Sequence, residues 1–144
     1  MDAEPRPNPE RLAGLELFAS MAPAQLAHVA GLLEERLIAE GDHVVDQGDE
    51  GYAFFVIEAG TAEVFVDEVL IRTLDAGDYF GEIATLRFGR RTANVVATSA
   101  MTLFAMSRFN LRLLAAANPK IAATLETAVH ERLAAASPKL PSES

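Results

Sequence analysis

Cysteine and tryptophan are absent from this chain of 144 residues, and histidine occurs only three times. Without cysteine the fold has no disulfide and no thiolate-bound metal, so a hydrophobic core must hold it, and one domain of this length can bury such a core. The histidines, His28, His43 and His130, lie far apart and show no paired metal-ligand spacing. We therefore expect no metal and no cofactor.

Basic residues are scarce as well. Lys and Arg together number 12 against 21 Asp and Glu, which gives a formal net charge of −9. Proteins that bind nucleic acid usually carry a basic surface, because the neutralisation of phosphates drives their affinity. We therefore expect no nucleic-acid partner. An anionic ligand would need a local positive site that works against an unfavourable overall field.

Long apolar runs are missing too. No uninterrupted stretch approaches the roughly 20 apolar residues that span a bilayer, so we expect no membrane insertion by this chain. The N-terminus is acidic and rich in proline, unlike a signal peptide, and we expect a cytoplasmic protein. The chain divides into a disordered leader (residues 1–9), one domain (residues 10–136) and a disordered tail (residues 137–144).

The first part of the domain has a helical pattern. Apolar residues recur at helical spacing over residues 10–35, and Pro23 stands where the first turn of a second helix is expected. Leu33 is the last apolar residue at that spacing. The pattern predicts an N-terminal helical pair that ends near residue 35.

Helical signals return after residue 106. Ser107 can cap a helix over residues 108–117, and Asn118 can cap another helix that starts at Pro119. The last helix carries one apolar stripe at steps of three and four, formed by Ile121, Leu125, Ala128, Val129 and Leu133.

The region between these helices has β character. Short runs of β-branched and aromatic residues alternate with turns about every 8 to 12 residues, a spacing typical of a sandwich or barrel. The clearest hairpin joins residues 62–66 to residues 69–74 through the turn Asp67-Glu68. We predict a mainly β fold with flanking helices, namely a double-stranded β-helix (a jelly-roll-like β-roll) of about eight strands.

One segment interrupts the β region with residues that suit an anionic ligand carrying a hydroxyl group. Gly81 and Glu82 stand at the predicted start of a short helix, and Arg91 follows nine positions after Glu82. Glycine lets the backbone approach a ligand closely, and N–H groups at a helix start attract anions. Arginine offers a planar fork of donors to phosphate, whereas a carboxylate can accept a hydrogen bond from a sugar hydroxyl.

The run from Gly77 to Ala84, followed by Arg91-Thr92-Ala93, resembles the phosphate-binding cassette of the cyclic nucleotide-binding domain family. Cyclic-nucleotide-dependent kinases, cyclic-nucleotide-gated channels and the catabolite activator protein share this module, and the likeness covers roughly residues 12–133. It implies a regulatory module without enzymatic activity, whose ligand is cAMP or cGMP. It also implies signalling to an effector protein or an attached effector domain by movement of the C-terminal helix.

The resemblance implies a role for each site residue. Glu82 accepts a hydrogen bond from the ribose 2′-hydroxyl, and Gly81 passes its backbone close to the ribose. Arg91 pairs with the exocyclic oxygens of the cyclic phosphate. The short helix then binds phosphate, and the cradle is completed by the backbone N–H groups of Ile83, Ala84 and Thr92.

The residues define recognition of the base less well than recognition of the phosphate and the ribose. A threonine directly after the arginine, here Thr92, can reach the amino group of guanine in the family, but it also occurs in members that prefer cAMP. Family frequency favours cAMP. In the family the last helix usually supplies a cap over the base, and here the candidates are His130, Arg132 and Leu133.

Other interpretations stand beside this one. The segment could be an ordinary loop with a Glu82–Arg91 ion pair on the surface. The chain could be a β-roll that binds no nucleotide and acts as a structural or protein-interaction module. A metal-dependent cupin enzyme would need clustered histidines, and no nucleophile–base arrangement is apparent, so we expect no enzyme. We expect the stripe of the last helix to pack on the β-roll, and it also admits a homodimer.

Overall fold

The computed structural model describes residues 8–51, 53–82 and 90–136, with side chains as far as Arg132. Most of the predicted leader and the whole predicted tail lie outside these ranges, so both stay predictions. Ile83 and Ala84 of the predicted site also lie outside them. Glu82 is helical, and the rest of the predicted phosphate-binding helix falls outside the described residues.

The N-terminal segment is helical, as predicted, but its last helix ends early. The described helices here are α1 (Pro9–Ala13), a 3-10 helix (Glu16–Phe18) and α2 (Pro23–Ala30). Pro23 occupies the first turn of α2, as expected. The prediction that the helical pattern reaches residue 35 is wrong, because Leu33 begins a strand and pairs with Met106. A leucine three residues after Ala30 fits either period, so pairing with a distant strand decided its conformation.

The described strands form two antiparallel four-stranded sheets and confirm the predicted β-roll. They are β1 (Leu33–Ile38), β2 (His43–Val45), β3 (Ala53–Ala59), β4 (Ala62–Val66), β5 (Val69–Leu74), β6 (Tyr79–Phe80), β7 (Asn94–Ala97) and β8 (Met101–Ser107). One sheet has the order β1-β8-β3-β6 and the other has the order β2-β7-β4-β5. Because β6 and β7 belong to different sheets, the chain between them crosses from one sheet to the other.

The hairpin β4–β5 forms around the predicted acidic turn. Asp67 and Glu68 have φ values of 50° and 70°, and Val66 pairs with Val69. Positive φ at both central residues is the mark of the type I′ turn, whose twist matches that of paired strands. Across the same hairpin Val64 faces Arg72, and Ala62 faces Leu74.

Strand β3 is buried on both faces, so it separates two hydrophobic clusters. Phe55 and Ile57 point into the interior of the roll, whereas Phe54 and Val56 pack against the helices. A run of four buried apolar residues is expected where a sheet is covered on both sides. The site described below opens into the interior cluster.

The C-terminal helices cover the outer face of this sheet. Helix α3 spans Arg108–Ala117 and α4 spans Pro119–Ala136. The predicted caps are confirmed: Ser107 Oγ accepts from Asn110 N at 3.1 Å, and Asn118 Oδ1 accepts from Ile121 N at 3.2 Å. Four residues of the predicted stripe are buried, namely Ile121, Leu125, Ala128 and Val129. Ile121 and Leu125 pack in the hydrophobic cluster between the helices and this sheet, together with Phe54 and Val56. Helix α4 therefore lies along the roll, and its later residues reach β6.

The described helices include none that is both long and apolar enough to cross a membrane. Within the same ranges, no group of three or more His, Asp or Glu side chains could hold a metal ion.

Candidate functional site

A small cavity lies inside the roll next to the chain that follows β6. Its polar lining comes from Arg72, Glu82, Arg91 and Thr92, and much of the rest is apolar, with Val64 among the lining residues. The volume is about 40 Å³, which is room for a few water molecules. Ligand pockets for small molecules are about ten times larger, so a nucleotide can enter only if the surrounding residues move.

Gly81 brings the backbone close to the guanidinium of Arg91. Its φ is +91°, and a Cβ at this position would lie 2.9 Å from both Ala53 O and Arg91 Nη1. Any side chain here would therefore meet a backbone carbonyl and the arginine at once, in a conformation that L-residues rarely adopt. This geometry explains why the predicted site needs glycine at this position.

Arg91 is buried, with 8% of its surface exposed. Its Nη2 donates to Ala53 O at 2.8 Å and its Nη1 to Gly81 O at 3.4 Å, and the guanidinium lies over the ring of Phe55. None of these partners is a carboxylate. Burial lowers the pKa of Arg91 below the usual arginine range, and nearby Glu82 opposes this effect without an ion pair. The positive charge is thus desolvated and only partly balanced.

The backbone of Arg91 is held by the turn at Gly48-Asp49. Arg91 N donates to Asp49 O at 2.6 Å, and Gly48 N donates to Arg91 O at 2.9 Å. The neighbouring Arg90 is exposed and donates to Gly48 O.

Glu82 is the most deeply buried charged residue of the site, with 1% of its surface exposed. Both of its carboxylate oxygens accept from Arg132 Nη1, at 3.0 and 2.9 Å. The same Nη1 donates to Tyr79 O at 2.6 Å, and the guanidinium lies 4.9 Å from the centre of the Tyr79 ring. Helix α4 is therefore tied directly to the carboxylate that the sequence assigns to the ribose.

The alternative interpretation, a surface ion pair between Glu82 and Arg91, is wrong. Glu82 and Arg91 are both buried, and the ion pair of Glu82 is made with Arg132. Of the three candidates for a base cap, Arg132 reaches the site, whereas His130 is exposed and faces Glu126. The side chain of Leu133 lies outside the described residues.

The sequence did not predict the positions of two arginines at this site. Arg132 was considered only as a cap, because its contact with Glu82 joins residues 50 apart in sequence. Arg72 was read only as part of a strand. Its alternation with Leu74, which is buried, could have placed it on the inner face of the roll.

The site combines a buried arginine, a buried carboxylate and a backbone conformation that favours glycine, all within a β-roll. These features are typical of a binding module for a small anionic ligand. The family model of the cyclic nucleotide-binding domain matches residues 35–118. The chain belongs to this family, which confirms the resemblance found in the sequence.

Similar proteins include kinase regulatory subunits and a bacterial activator. The cAMP-dependent protein kinase regulatory subunit of Eremothecium gossypii is 34% identical over 72% of this chain and 24% of its own length. The cAMP-bound structure of PfPKA-R has a TM-score of 0.76 and 26% identity, over 89% of this chain and 43% of that chain. The catabolite activator protein of Thermus thermophilus has a TM-score of 0.73 and 29% identity, over 81% and 57%. This chain spans about a quarter of the length of the curated relatives that it matches.

Proposed function

We propose that this chain is a regulatory module that binds a cyclic nucleotide between Arg91 and Glu82 and reports occupancy through helix α4. The observation that carries the proposal is the buried charge of Arg91, which, among the residues that the structure describes, donates only to backbone carbonyls. A buried charge without an ion-pair partner is costly, and an anion that enters the site would balance it. Relatives described as cAMP-dependent or cAMP-bound support the choice of nucleotide class.

The cyclic phosphate takes the Arg91 end of the cavity. Guanidinium and phosphate make charge-assisted hydrogen bonds, which are roughly twice as strong as neutral ones. Because Gly81 has no side chain, the backbone can approach the ligand at the same place. Thr92 lines the cavity together with Arg91, which supports a role for its backbone N–H in the phosphate cradle. Ile83 and Ala84, assigned to the same cradle by resemblance, lie outside the described residues.

The ribose takes the Glu82 end, where it meets Arg132. The two carboxylate oxygens now accept from Arg132, so a ribose 2′-hydroxyl would have to share or displace this bond. The small volume of the cavity leads to the same conclusion, because a nucleotide needs more room than about 40 Å³. Ligand binding and the Arg132–Glu82 contact are therefore in competition.

This competition gives a route from the ligand to the surface of the domain. A ligand shifts a conformational equilibrium only by as much as it binds one state better than the other. Binding at Glu82 favours a state in which Arg132 is released, and Arg132 is carried by α4. A move of α4 would alter the surface offered to an effector protein or an attached effector domain, in keeping with the regulatory role of the relatives.

The test is titration calorimetry of the purified chain with cAMP and with cGMP, followed by amide exchange of residues 121–132 with and without ligand. We expect one site per chain and a change of exchange in α4. No binding of either nucleotide at millimolar concentration would favour the alternative, a β-roll that serves as a protein-interaction module. Binding without any change in α4 would keep the ligand and reject the helix as the switch.

A further inference from the structure

The guanidinium of Arg91 contacts an aromatic ring as well as backbone carbonyls. Its Cζ lies 5.7 Å from the centre of the Phe55 ring. A cation within about 6 Å of a ring centre is attracted to the negative face of the ring. Phe55 is 4% exposed, so water screens this attraction little. The ring therefore stabilises a charge that, within the described residues, makes no ion pair.

The Phe55 ring is itself fixed by the strands around it. Phe55 lies on β3 between β6 and β8, and its partner on β6 is Phe80. The rings of Phe55 and Phe80 stack with their centres 5.1 Å apart and their planes inclined by 25°. The carbonyls that accept from Arg91 belong to Gly81, which follows Phe80, and to Ala53 on β3. Because this part of the core is closely packed, the ring keeps its place beside the guanidinium.

A ring and a carboxylate hold an arginine in different ways. A carboxylate neutralises the charge and accepts from the same N–H groups that a phosphate would use. An aromatic ring attracts the cation through the field of its face, which is a weaker interaction and leaves the charge in place. A guanidinium also has more N–H donors than the two bonds to carbonyls use. Phe55 can therefore fix the position of Arg91 and leave it able to bind an anion.

We propose that Phe55 is a positioning residue of this site, whose ring holds the guanidinium of Arg91 where the cyclic phosphate binds. The inference rests on the proposed function and deepens it, because it names the side chain that orients the arginine. The apparent affinity for a ligand falls with the fraction of the protein that is in the competent conformation. Without the ring, Arg91 takes other side-chain conformations, and a smaller fraction presents its donors to the phosphate.

Two other contacts between a ring and an arginine provide controls. Phe104 is buried in the cluster on the helix-covered face of the sheet, and the Cζ of Arg11 lies 5.1 Å from the centre of its ring. A change in the Phe104 ring weakens the same kind of contact in the other cluster. Arg36 lies 5.8 Å from the centre of the Phe55 ring, but its side chain is half-exposed and pairs with Glu34. Arg36→Met therefore shows whether a change in the Phe55 ring acts through this second arginine.

The test replaces Phe55 by phenylalanines that carry one, two or three ring fluorines, and measures cAMP and cGMP binding by titration calorimetry. Fluorine withdraws electrons from the face of the ring and weakens its attraction for a cation with little change of shape. We expect affinity to fall stepwise, by about fivefold with three fluorines and by about tenfold in Phe55→Leu. The loss should be the same for both nucleotides, because they share the cyclic phosphate. The same fluorinated residues in place of Phe104, and Arg36→Met, should leave affinity within about twofold.

The outcomes separate this inference from the proposed function. If the unmodified chain binds neither nucleotide, both fail. If the nucleotides bind and fluorination has the same small effect at Phe55 and Phe104, the proposed function stands and the inference is overturned. A rise in affinity on fluorination of Phe55, a loss for one nucleotide alone, or an equal loss in Arg36→Met would also overturn it. Circular dichroism shows whether each variant is folded, and the fluorinated series gives the result if Phe55→Leu is not.

Discussion

Two arginines of this chain are placed in opposite ways. Arg11, on α1, donates to the carboxylates of Glu58 and Glu35 and lies over the ring of Phe104. These carboxylates raise the pKa of Arg11 above the usual arginine range. Arg91 is more deeply buried and, within the described part of the chain, donates only to backbone carbonyls, and burial lowers its pKa. The charge of Arg11 is balanced by carboxylates of the protein, whereas the charge of Arg91 is available to an anionic ligand.

The difference separates a structural arginine from the arginine that we propose binds the ligand. Arg11 ties α1 to strands β1 and β3, which carry Glu35 and Glu58, so its bonds hold the N-terminal segment on the roll. Among the described residues Arg91 makes no ion pair, and it lines the cavity together with Gly81 and Glu82. The two arginines that line this cavity, Arg91 and Arg72, stand out in a chain whose net charge is −9.

The largest effect is expected from Arg91→Ala. Without the guanidinium, the phosphate would enter a buried site with no cation, and we expect affinity for the cyclic nucleotide to fall by about a hundredfold or more. Titration calorimetry measures the change. Arg90→Ala removes the neighbouring exposed arginine and should leave affinity within about twofold. Equal losses in the two variants would mean that general charge, and not the placement of Arg91, holds the ligand.

A smaller effect of opposite sign is expected from Arg132→Ala. This change removes the side chain that competes with the ribose for Glu82, so affinity should rise severalfold. It also leaves a buried carboxylate without its partner, and the melting temperature should fall. His130→Ala, two positions earlier on α4 and exposed, is the control. An affinity that falls in Arg132→Ala alone would show that Arg132 contacts the ligand instead of competing with it.

The smallest effect on binding is expected from Arg11→Ala. Its side chain is 35% exposed, so the loss of its ion pairs should cost about 1 kcal/mol of unfolding free energy and lower the melting temperature by a few degrees. Affinity for the nucleotide should not change, because Arg11 lies on the helix-covered face of the sheet, against Phe104. A change in affinity would mean that α1 and the cavity are coupled.

Local signals predicted most of the fold. The hairpin around Asp67-Glu68 and the caps at Ser107 and Asn118 depend on residues within a few positions, so the sequence shows them directly. The end of α2 was missed because Leu33 satisfies both a helical and a strand pattern, and its partner Met106 is far along the chain.

Part of the site was predictable because it also depends on residues that are close together in the sequence. Gly81, Glu82 and Arg91 form a recognisable spacing, and their residue types indicate an anionic ligand with a hydroxyl. The contact of Arg132 with Glu82 could not be predicted, since it depends on how α4 packs across the roll. The charge of Arg72 inside the roll contradicts the general rule that inward positions are apolar, and such exceptions occur at functional sites.

The most direct test of the contrast between Arg11 and Arg91 is thermal unfolding with and without saturating cGMP or cAMP. Binding to the folded state raises the melting temperature, so the rise itself reports the ligand. We expect Arg11→Ala to melt lower than the unmodified chain but to show the same ligand-induced rise. Arg91→Ala should melt within a few degrees of the unmodified chain and show little or no rise at the same ligand concentration. A full rise in Arg91→Ala, or its loss in Arg11→Ala, would contradict the assignment of the two arginines.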